Sequence, residues 1–289
     1  MLPDAAITAT PTTVPFIELN DSYHMPALGL GVWQIDDDKV GEVVTAAIDA
    51  GYRLIDTAQG YDNEAGVGAA IREASVAREE LVLVSKLRTK SMGYDEALAG
   101  IRESLDALQV DYLDMFLIHW PTPARDNFVD TWKAFVEAQK DGLVRSIGVS
   151  NFLPEHIERI IEATGVIPAV NQLETHPYYQ QRDVREFHEK LGIRMESYSP
   201  LGHGEVLDDE VIAAIADRVG KSPAQVIIRW HLQEGLIVIP KSESPDRIRA
   251  NLDVFDFELS DKDMAEIAGL DDPKGGRTSS DPATFNDQY

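Results

Sequence analysis

The sequence predicts an α/β protein: a closed (β/α)8 TIM barrel with an N-terminal β-hairpin ahead of it and a C-terminal loop tail behind. Three observations carry that expectation. Eight short apolar runs alternate with amphipathic stretches, which implies parallel strands joined by helices. Two of the helical stretches open on serine–proline pairs and four close on glycine. Ionisable residues recur at the ends of successive apolar runs, where burial is costly unless the groups pair.

The elements follow in chain order. Residues 1–15 are an Ala/Thr/Pro segment without the basic start and apolar core of a signal peptide, and a flexible tail is expected there. Residues 16–30 read as a hairpin, because Phe16-Ile17-Glu18-Leu19 alternates and Asn20-Asp21-Ser22 supplies turn chemistry. Barrel strands are expected at 28–31, 54–56, 81–86, 112–119, 144–149, 169–173, 194–199 and 236–239. Helices are expected at 37–50, 63–74, 94–108, 127–141, 154–164, 182–191, 208–219, 223–234 and 245–254. Ser222-Pro223, Ser244-Pro245 and the polar Ser150-Asn151 ahead of Pro154 mark helix starts. Gly142, Gly165, Gly192 and Gly235 mark helix ends. Residues 16–289 make one domain, with 271–289, rich in Asp, Gly, Ser and Pro, as a loop over the barrel mouth.

Composition narrows the partners. The 289 residues are 44% hydrophobic and 26% charged, ordinary for a soluble globular chain. No apolar run approaches the roughly 18 residues of a membrane span. Lys+Arg 26 against Asp+Glu 50 gives a net charge of −24, which disfavours nucleic acid and anionic membranes. The absence of cysteine rules out disulfides and thiolate chemistry and fits a reducing, cytoplasmic setting. A monomer is expected.

Asp56, Tyr61, Lys86 and His119 stand at the ends of successive strands or just beyond them. In a (β/α)8 barrel those ends form the C-terminal mouth, where catalytic groups sit. Singly, each has a structural reading: helix cap for Asp56, packed aromatic for Tyr61, ion-pair partner for Lys86, core histidine for His119. Together they suit protonation of an alkoxide as hydride adds to a carbonyl. An ammonium beside a phenol lowers its pKa from about 10, an aspartate keeps the ammonium charged, and a neutral histidine donates to the carbonyl oxygen. The chain has no Gly-x-Gly-x-x-Gly loop, no phosphate loop and no histidine spacing suited to a metal, so no metal is expected. His24, His156, His188 and His231 read as solvated or packed; His203 follows the seventh strand and can line a pocket.

At these residues the chain resembles the aldo-keto reductases, from about Phe16 onward. The run Gly51-Tyr52-Arg53-Leu54-Ile55-Asp56-Thr57-Ala58-Gln59-Gly60-Tyr61-Asp62-Asn63-Glu64 is similar to the family's first signature. Lys86, and His119 within Leu117-Ile118-His119-Trp120-Pro121, match the rest of its catalytic tetrad. Gly142-Leu143-Val144-Arg145-Ser146-Ile147-Gly148-Val149-Ser150-Asn151-Phe152 is similar to the second signature. The resemblance implies NADPH/NADP+ as cofactor. It implies that Ser150, Asn151 and Gln172 hold the nicotinamide carboxamide and that Tyr198 stacks on the ring, with Ser199 and Leu201 beside it. Ile239-Pro240-Lys241-Ser242 with Arg247 and Asn251 resembles the NADP-binding segment, with Lys241, Ser242 and Arg247 on the 2′-phosphate and Asn251 on the adenine. Glu196 to Gly204 and the run ending at Phe257 look most like the prokaryotic 2,5-diketo-D-gluconate reductase branch. Trp33, Trp120 and Arg277 are expected to wall a pocket for a small carbonyl substrate.

The chain departs from that branch at Leu87-Arg88-Thr89, at Glu243 where a small or apolar residue is usual, and at Ala250 where an acid often meets adenine. An acid near a phosphate is unfavourable unless it points away. Independently of any family, a basic segment at a helix start after the eighth strand is an anion site. The net charge does not prevent this, since screening limits distant charges to roughly 8 Å. Two other readings of the barrel remain open at this point. One is a cofactor-binding regulatory protein without significant catalysis. The other is a Schiff-base aldolase or isomerase using Lys86 as nucleophile, which would want a lysine of lowered pKa.

Overall fold

The computed structural model describes residues 14–289, so most of the segment expected as a flexible tail lies outside the described residues. Of its last two residues, Val14 is buried in the core and Pro15 accepts a bond from Ala27 N at 2.9 Å. A two-stranded antiparallel hairpin, β1 (Phe16–Glu18) and β2 (His24–Pro26), comes first. Eight parallel strands follow: β3 (Leu30–Gly31), β4 (Leu54–Asp56), β5 (Val82–Leu87), β6 (Leu113–Ile118), β7 (Val144–Ser150), β8 (Val170–Glu174), β9 (Arg194–Tyr198) and β10 (Ile237–Val238). Each pairs with its sequence neighbour. The sheet closes through parallel bridges between Leu28 and Val238 and between Gly31 and Lys241. Gly29 N donates to Val238 O and Val238 N to Ala27 O, both at 2.9 Å. The molecule is therefore the (β/α)8 barrel that the alternation of runs predicts.

Helices α1 (Asp37–Ala50), α2 (Glu64–Arg72), α3 (Tyr94–Leu108), α4 (Phe128–Lys140), α5 (Pro154–Thr164) and α6 (Arg182–Leu191) connect successive strands. Between β9 and β10 come α7 (Glu210–Val219) and α8 (Pro223–Gln233). The chain ends with α9 (Pro245–Leu252), α10 (Asp261–Ala268) and the tail. Four expected helices, α1, α3, α5 and α6, have the observed boundaries, and α8 and α9 differ only at the last residues. The stretch expected to open α7 at Asp208 is instead a 3-10 segment, Gly202–Asp208, that kinks at His203 and Gly204. Helix α10 has no counterpart among the expected elements. It is eight residues long and buries only Asp263 and Ile267, too few positions for a helical period to show. Ser260 caps it, with Asp263 reaching back to Ser260 N at 3.0 Å.

The caps behave as serine–proline starts should. Ser222 Oγ accepts from Gln225 N at 3.3 Å and Ser244 Oγ from Arg247 N at 3.4 Å. At α5 the residue before Pro154 is Leu153, and no hydroxyl serves. His156 Nδ1 accepts from Leu153 N at 3.2 Å instead. Helix α5 stops because Gly165 takes φ 73°, a conformation open to a residue without Cβ.

Period-two alternation divides the core into two layers. Leu54, Val82, Val84, Met115, Leu117, Val170 and Ile237 fill the barrel interior. Ile55, Leu83, Leu87, Phe116 and Ile118 face the helices. Each such side chain contributes roughly 1.5–3 kcal/mol by leaving water. The same parity turns Asp56, Lys86, Gln172 and Glu196 inward, above the apolar layer. At the other end the hairpin plugs the barrel. Tyr23 OH donates to Asp114 Oδ1 at 2.9 Å, and Asp114 is salt-bridged to Arg78 (2.7 Å) and Arg145 (3.4 Å).

Candidate active site

The chain brings Asp56, Tyr61, Lys86 and His119 together at the C-terminal mouth. Asp56 ends β4, and a 3-10 turn, Gln59–Tyr61, returns the phenol over it. Lys86 is the penultimate residue of β5 and is fully buried. His119 follows β6. Lys86 Nζ donates to Asp56 Oδ1 at 2.6 Å, to Thr57 O at 2.9 Å and to Tyr61 OH at 3.2 Å. The ammonium also lies 4.9 Å from the Tyr61 ring centroid. The His119 and Tyr61 rings meet edge to face, 5.8 Å apart.

Burial works against the Lys86 charge, but the Asp56 carboxylate and the Tyr61 oxygen outweigh it and hold the ammonium above its ordinary pKa. His119 is pushed well below the usual histidine range, by burial first and by the Lys86 charge second, so its ring is neutral near pH 7. Tyr61 corrects the expectation of a lowered phenol. Its pKa is raised, because burial outweighs the pull of Lys86 and Asp56 adds to the rise. The sequence shows the neighbouring cation but not the depth of burial. The phenol stays protonated at neutral pH, the state a proton donor needs.

Two amides tie this group to its neighbours. Asn151 Nδ2 donates to His119 O at 3.0 Å and to Ser150 Oγ at 3.1 Å. Asn151 holds φ 61°, uncommon for a residue with a side chain. Gln172 Nε2 donates to Asp56 Oδ2 at 2.9 Å and to Glu196 Oε2 at 2.7 Å. Ser150 Oγ donates to Gln172 O at 2.9 Å. Tyr198 OH donates to Asn151 Oδ1 at 2.9 Å and lies 3.0 Å from Ser279 Oγ. Ser199 takes φ 46° and its Oγ lies 3.5 Å from His203 Nε2; Leu201 packs against the cluster around Val206 and Trp230.

A second polar group forms at the start of α9. Lys241 Nζ is paired with Glu243 Oε1 at 2.5 Å, both side chains being exposed. Arg247 Nε donates to Ser242 Oγ at 3.4 Å, and Asn251 is buried. Two cations, a hydroxyl and a helix N-terminus match a phosphate. Glu243 is an acid placed against that match, and Asp246 in the first turn of α9 is held by Arg249 at 2.6 Å.

The expected pocket walls diverge. Trp120 is buried and stacks on Phe285 at 4.2 Å, while Trp33 is 43% exposed and meets His203 edge to face at 6.0 Å. Arg277 donates to Tyr179 OH at 2.6 Å and lies near Asp281. Sequence reasoning missed the residues that fasten the tail. The Tyr289 ring lies edge to face with His119 at 5.6 Å and against Gly60. Thr89 Oγ1 donates to Asp287 O at 2.7 Å and accepts from Tyr289 N at 3.1 Å. Glu174, buried at the end of β8, accepts from the backbone N and the hydroxyl of both Thr278 and Ser279, and from His176. The one available signal was Thr89 itself, within Leu87-Arg88-Thr89. Among the described residues no group of three or more His, Asp or Glu is arranged to hold a metal ion, and no helix is long and apolar enough to cross a membrane.

A parallel barrel with a lysine, a carboxylate and a phenol in contact at its C-terminal mouth has the architecture of a (β/α)8 enzyme. A model of the aldo/keto reductase family matches residues 26–272, and the chain belongs to that family. It is 53% identical over 272 residues to an aldo-keto reductase of Mycolicibacterium smegmatis, covering 94% of this chain and 98% of that one. It is 47% identical over 279 residues to methylglyoxal reductase DkgA of Escherichia coli, covering 96% and 99%. A variant of Gox0644 solved in complex with NADPH superposes with a TM-score of 0.91 at 51% identity, over 94% of this chain and 98% of that one.

Proposed function

We propose that the protein is an NADPH-dependent oxidoreductase of the class acting on CH–OH donors, which reduces aldehydes, ketones and dicarbonyls to alcohols. The observation that carries this reading is the Lys86 ammonium held between Asp56 at 2.6 Å and Tyr61 OH at 3.2 Å, beside a neutral His119. The name of the DkgA relative supports dicarbonyls such as methylglyoxal, and with them a role in detoxification. The Gox0644 complex supports NADPH. The donor set of Lys241, Ser242 and Arg247 at the start of α9 supports a 2′-phosphate there, with Asn251 toward the adenine. Ser150, Asn151, Gln172 and Tyr198, with Ser199 and Leu201 alongside, are the proposed nicotinamide residues. Trp33, Trp120 and Arg277 are proposed to contribute to the substrate pocket, and residues 271–289 to cover it. A cysteine-free chain supports a cytoplasmic setting, and we take the enzyme to act as a monomer.

Bound NADPH supplies the hydride. The protein's own work is proton transfer and orientation. Tyr61 OH is the general acid, giving its proton to the substrate oxygen as negative charge grows there. Lys86 stabilises the phenolate left behind, and Asp56 keeps Lys86 charged and in place. His119, as neutral imidazole, orients the carbonyl by hydrogen bonding. A lysine held above its ordinary pKa is a poor imine-forming nucleophile, which disfavours the aldolase reading.

Tyr61→Phe should lower turnover by at least about 10²-fold, the usual contribution of a positioned acid, with NADPH binding close to wild type. The assay is NADPH oxidation with methylglyoxal, phenanthrenequinone and a nitrobenzaldehyde. More than half the activity remaining would remove Tyr61 from its role. Inactivity of the wild type on all three would overturn the function.

A further inference from the structure

Two carboxyl groups share the barrel interior with one ammonium. Glu196 lies on β9 opposite Gln172 of β8, two residues before Tyr198 and on the same face of the strand. It is fully buried. Its Oε2 accepts from Gln172 Nε2 at 2.7 Å, and its Oε1 has no hydrogen-bond partner. The same Gln172 nitrogen reaches Asp56 Oδ2 at 2.9 Å. Asp56 has in addition the Lys86 ammonium on its other oxygen at 2.6 Å. The two acids are therefore unequal. Asp56 is satisfied on both oxygens by a cation and an amide, whereas Glu196 has one amide hydrogen and an empty oxygen. Ionising both would leave a net negative charge in a dry interior, which costs several kcal/mol unless it is compensated.

We propose, on the footing of the reductase reading above, that Glu196 is a positioning residue that keeps its proton while the enzyme works. The Lys86 charge is thereby left undivided for Asp56 and Tyr61. The groups that face Glu196 are Asp56 from β4, Tyr61 from the turn after it, Lys86 from β5 and Gln172 from β8; its neighbour across β10 is the apolar Ile237. Burial first, and repulsion from Asp56 second, lift the Glu196 carboxyl to about 8, against the opposing pull of Gln172 and Lys86. Above that pH its proton passes to solvent. The new anion then competes for Lys86 and pushes the Tyr61 phenol further up, making it a weaker acid. Gln172, whose one nitrogen donates to both acids, links the position of Glu196 to that of Asp56.

The test has two parts. Infrared spectra of the whole protein should show a protonated-carboxyl carbonyl band at pH 7 that fades through pH 8 to 9 and is missing from Glu196→Gln. Carbonyl reduction followed against pH should show wild-type kcat falling about tenfold between pH 7 and pH 9, the drop expected of one proton lost near pH 8. In Glu196→Gln, which accepts from Gln172 but cannot ionise, the same ratio should shrink to about twofold or less. A carbonyl band absent at pH 7, or one unchanged by Glu196→Gln, overturns the proposal. So does a pH profile that is the same in both proteins. If the glutamine variant does not fold, the wild-type band and its fading with pH decide. Wild type that reduces no carbonyl would bring down the reading of function and leave the infrared band to decide this one.

Discussion

Lys86 is fully buried, so its removal is felt through the acids it leaves behind. Lys86→Met would strand Asp56 and Glu196 beside each other with Gln172 between them. Breaking a buried pair by taking one partner costs about 3–5 kcal/mol when the other stays charged. Protonation relieves that cost, so the loss should be smaller at pH 5 than at pH 8. Urea unfolding of wild type and variant at the two values measures it, and an equal loss at both would dismiss the stranded acids as the cause. The tetrad itself was legible in the sequence. Asp56, Lys86 and His119 close their apolar runs, and strand parity carries each of the first two inward. The state of Tyr61 was not legible, because a nearby lysine can be read from the order of residues and burial cannot. Glu196 escaped notice for a related reason: it sits inside an apolar run, and only the closed barrel reveals that it shares Gln172 with Asp56.

Two elements shape access to this group. At the start of α9, the proposed site gives the 2′-phosphate that NADH lacks two charged donors, Arg247 and Lys241, worth roughly 1.5–3 kcal/mol apiece. Arg247→Ala should weaken NADPH about 10–100-fold and leave NADH nearly unchanged. Equal losses, read by cofactor fluorescence, would withdraw Arg247 from the phosphate. Glu243 already occupies Lys241, so Glu243→Val should tighten NADPH, most at low salt, where exposed charges are least screened. The tail is fastened at Glu174 and at Thr89. Burial would raise the Glu174 carboxyl, but the bonds from His176, Ser279 and Thr278 prevail and bring it to about 2. A folded value below the ordinary 4.5 means the latch is at full strength above pH 4.5 and fades as pH falls toward 2. Amide exchange of residues 278–279 should therefore accelerate, relative to the β6–β7 amides, as pH is lowered through that window. In Glu174→Gln it should be fast throughout, and a variant as protected as wild type would deny the latch. The segment around Lys241, Glu243 and Arg247 was legible in the sequence, whereas the fastenings of the tail were not. The tail has no period, and its partners are strand ends distant in sequence. Helix α10 was missed on the same ground, whereas α1, α3, α5 and α6 carry enough apolar repeats to fix their boundaries.

At the scale of the whole molecule, the eight runs and their helical connectors were sufficient to give the barrel. What the runs do not reveal is how narrowly it closes. Strands β3 and β10 are two residues each, and the cylinder is joined by Leu28 with Val238 and by Gly31 with Lys241. Until β10 pairs with β3 the sheet is an open strip, and an edge as short as β3 gives little purchase to a wrong neighbour. The join is also the shortest stretch of staves in the finished cylinder, and Lys241 belongs both to it and to the proposed phosphate site. On the proposed placement of the cofactor, NADPH held there would work as a clasp on the seam. Because a ligand stabilises only what it binds, NADPH should slow amide exchange at Gly29, Gly31 and Val238 more than at the β6–β7 pairing, and uniform slowing would sever the seam from the ligand. The residues that grip the cofactor would then be the ones that keep the barrel shut.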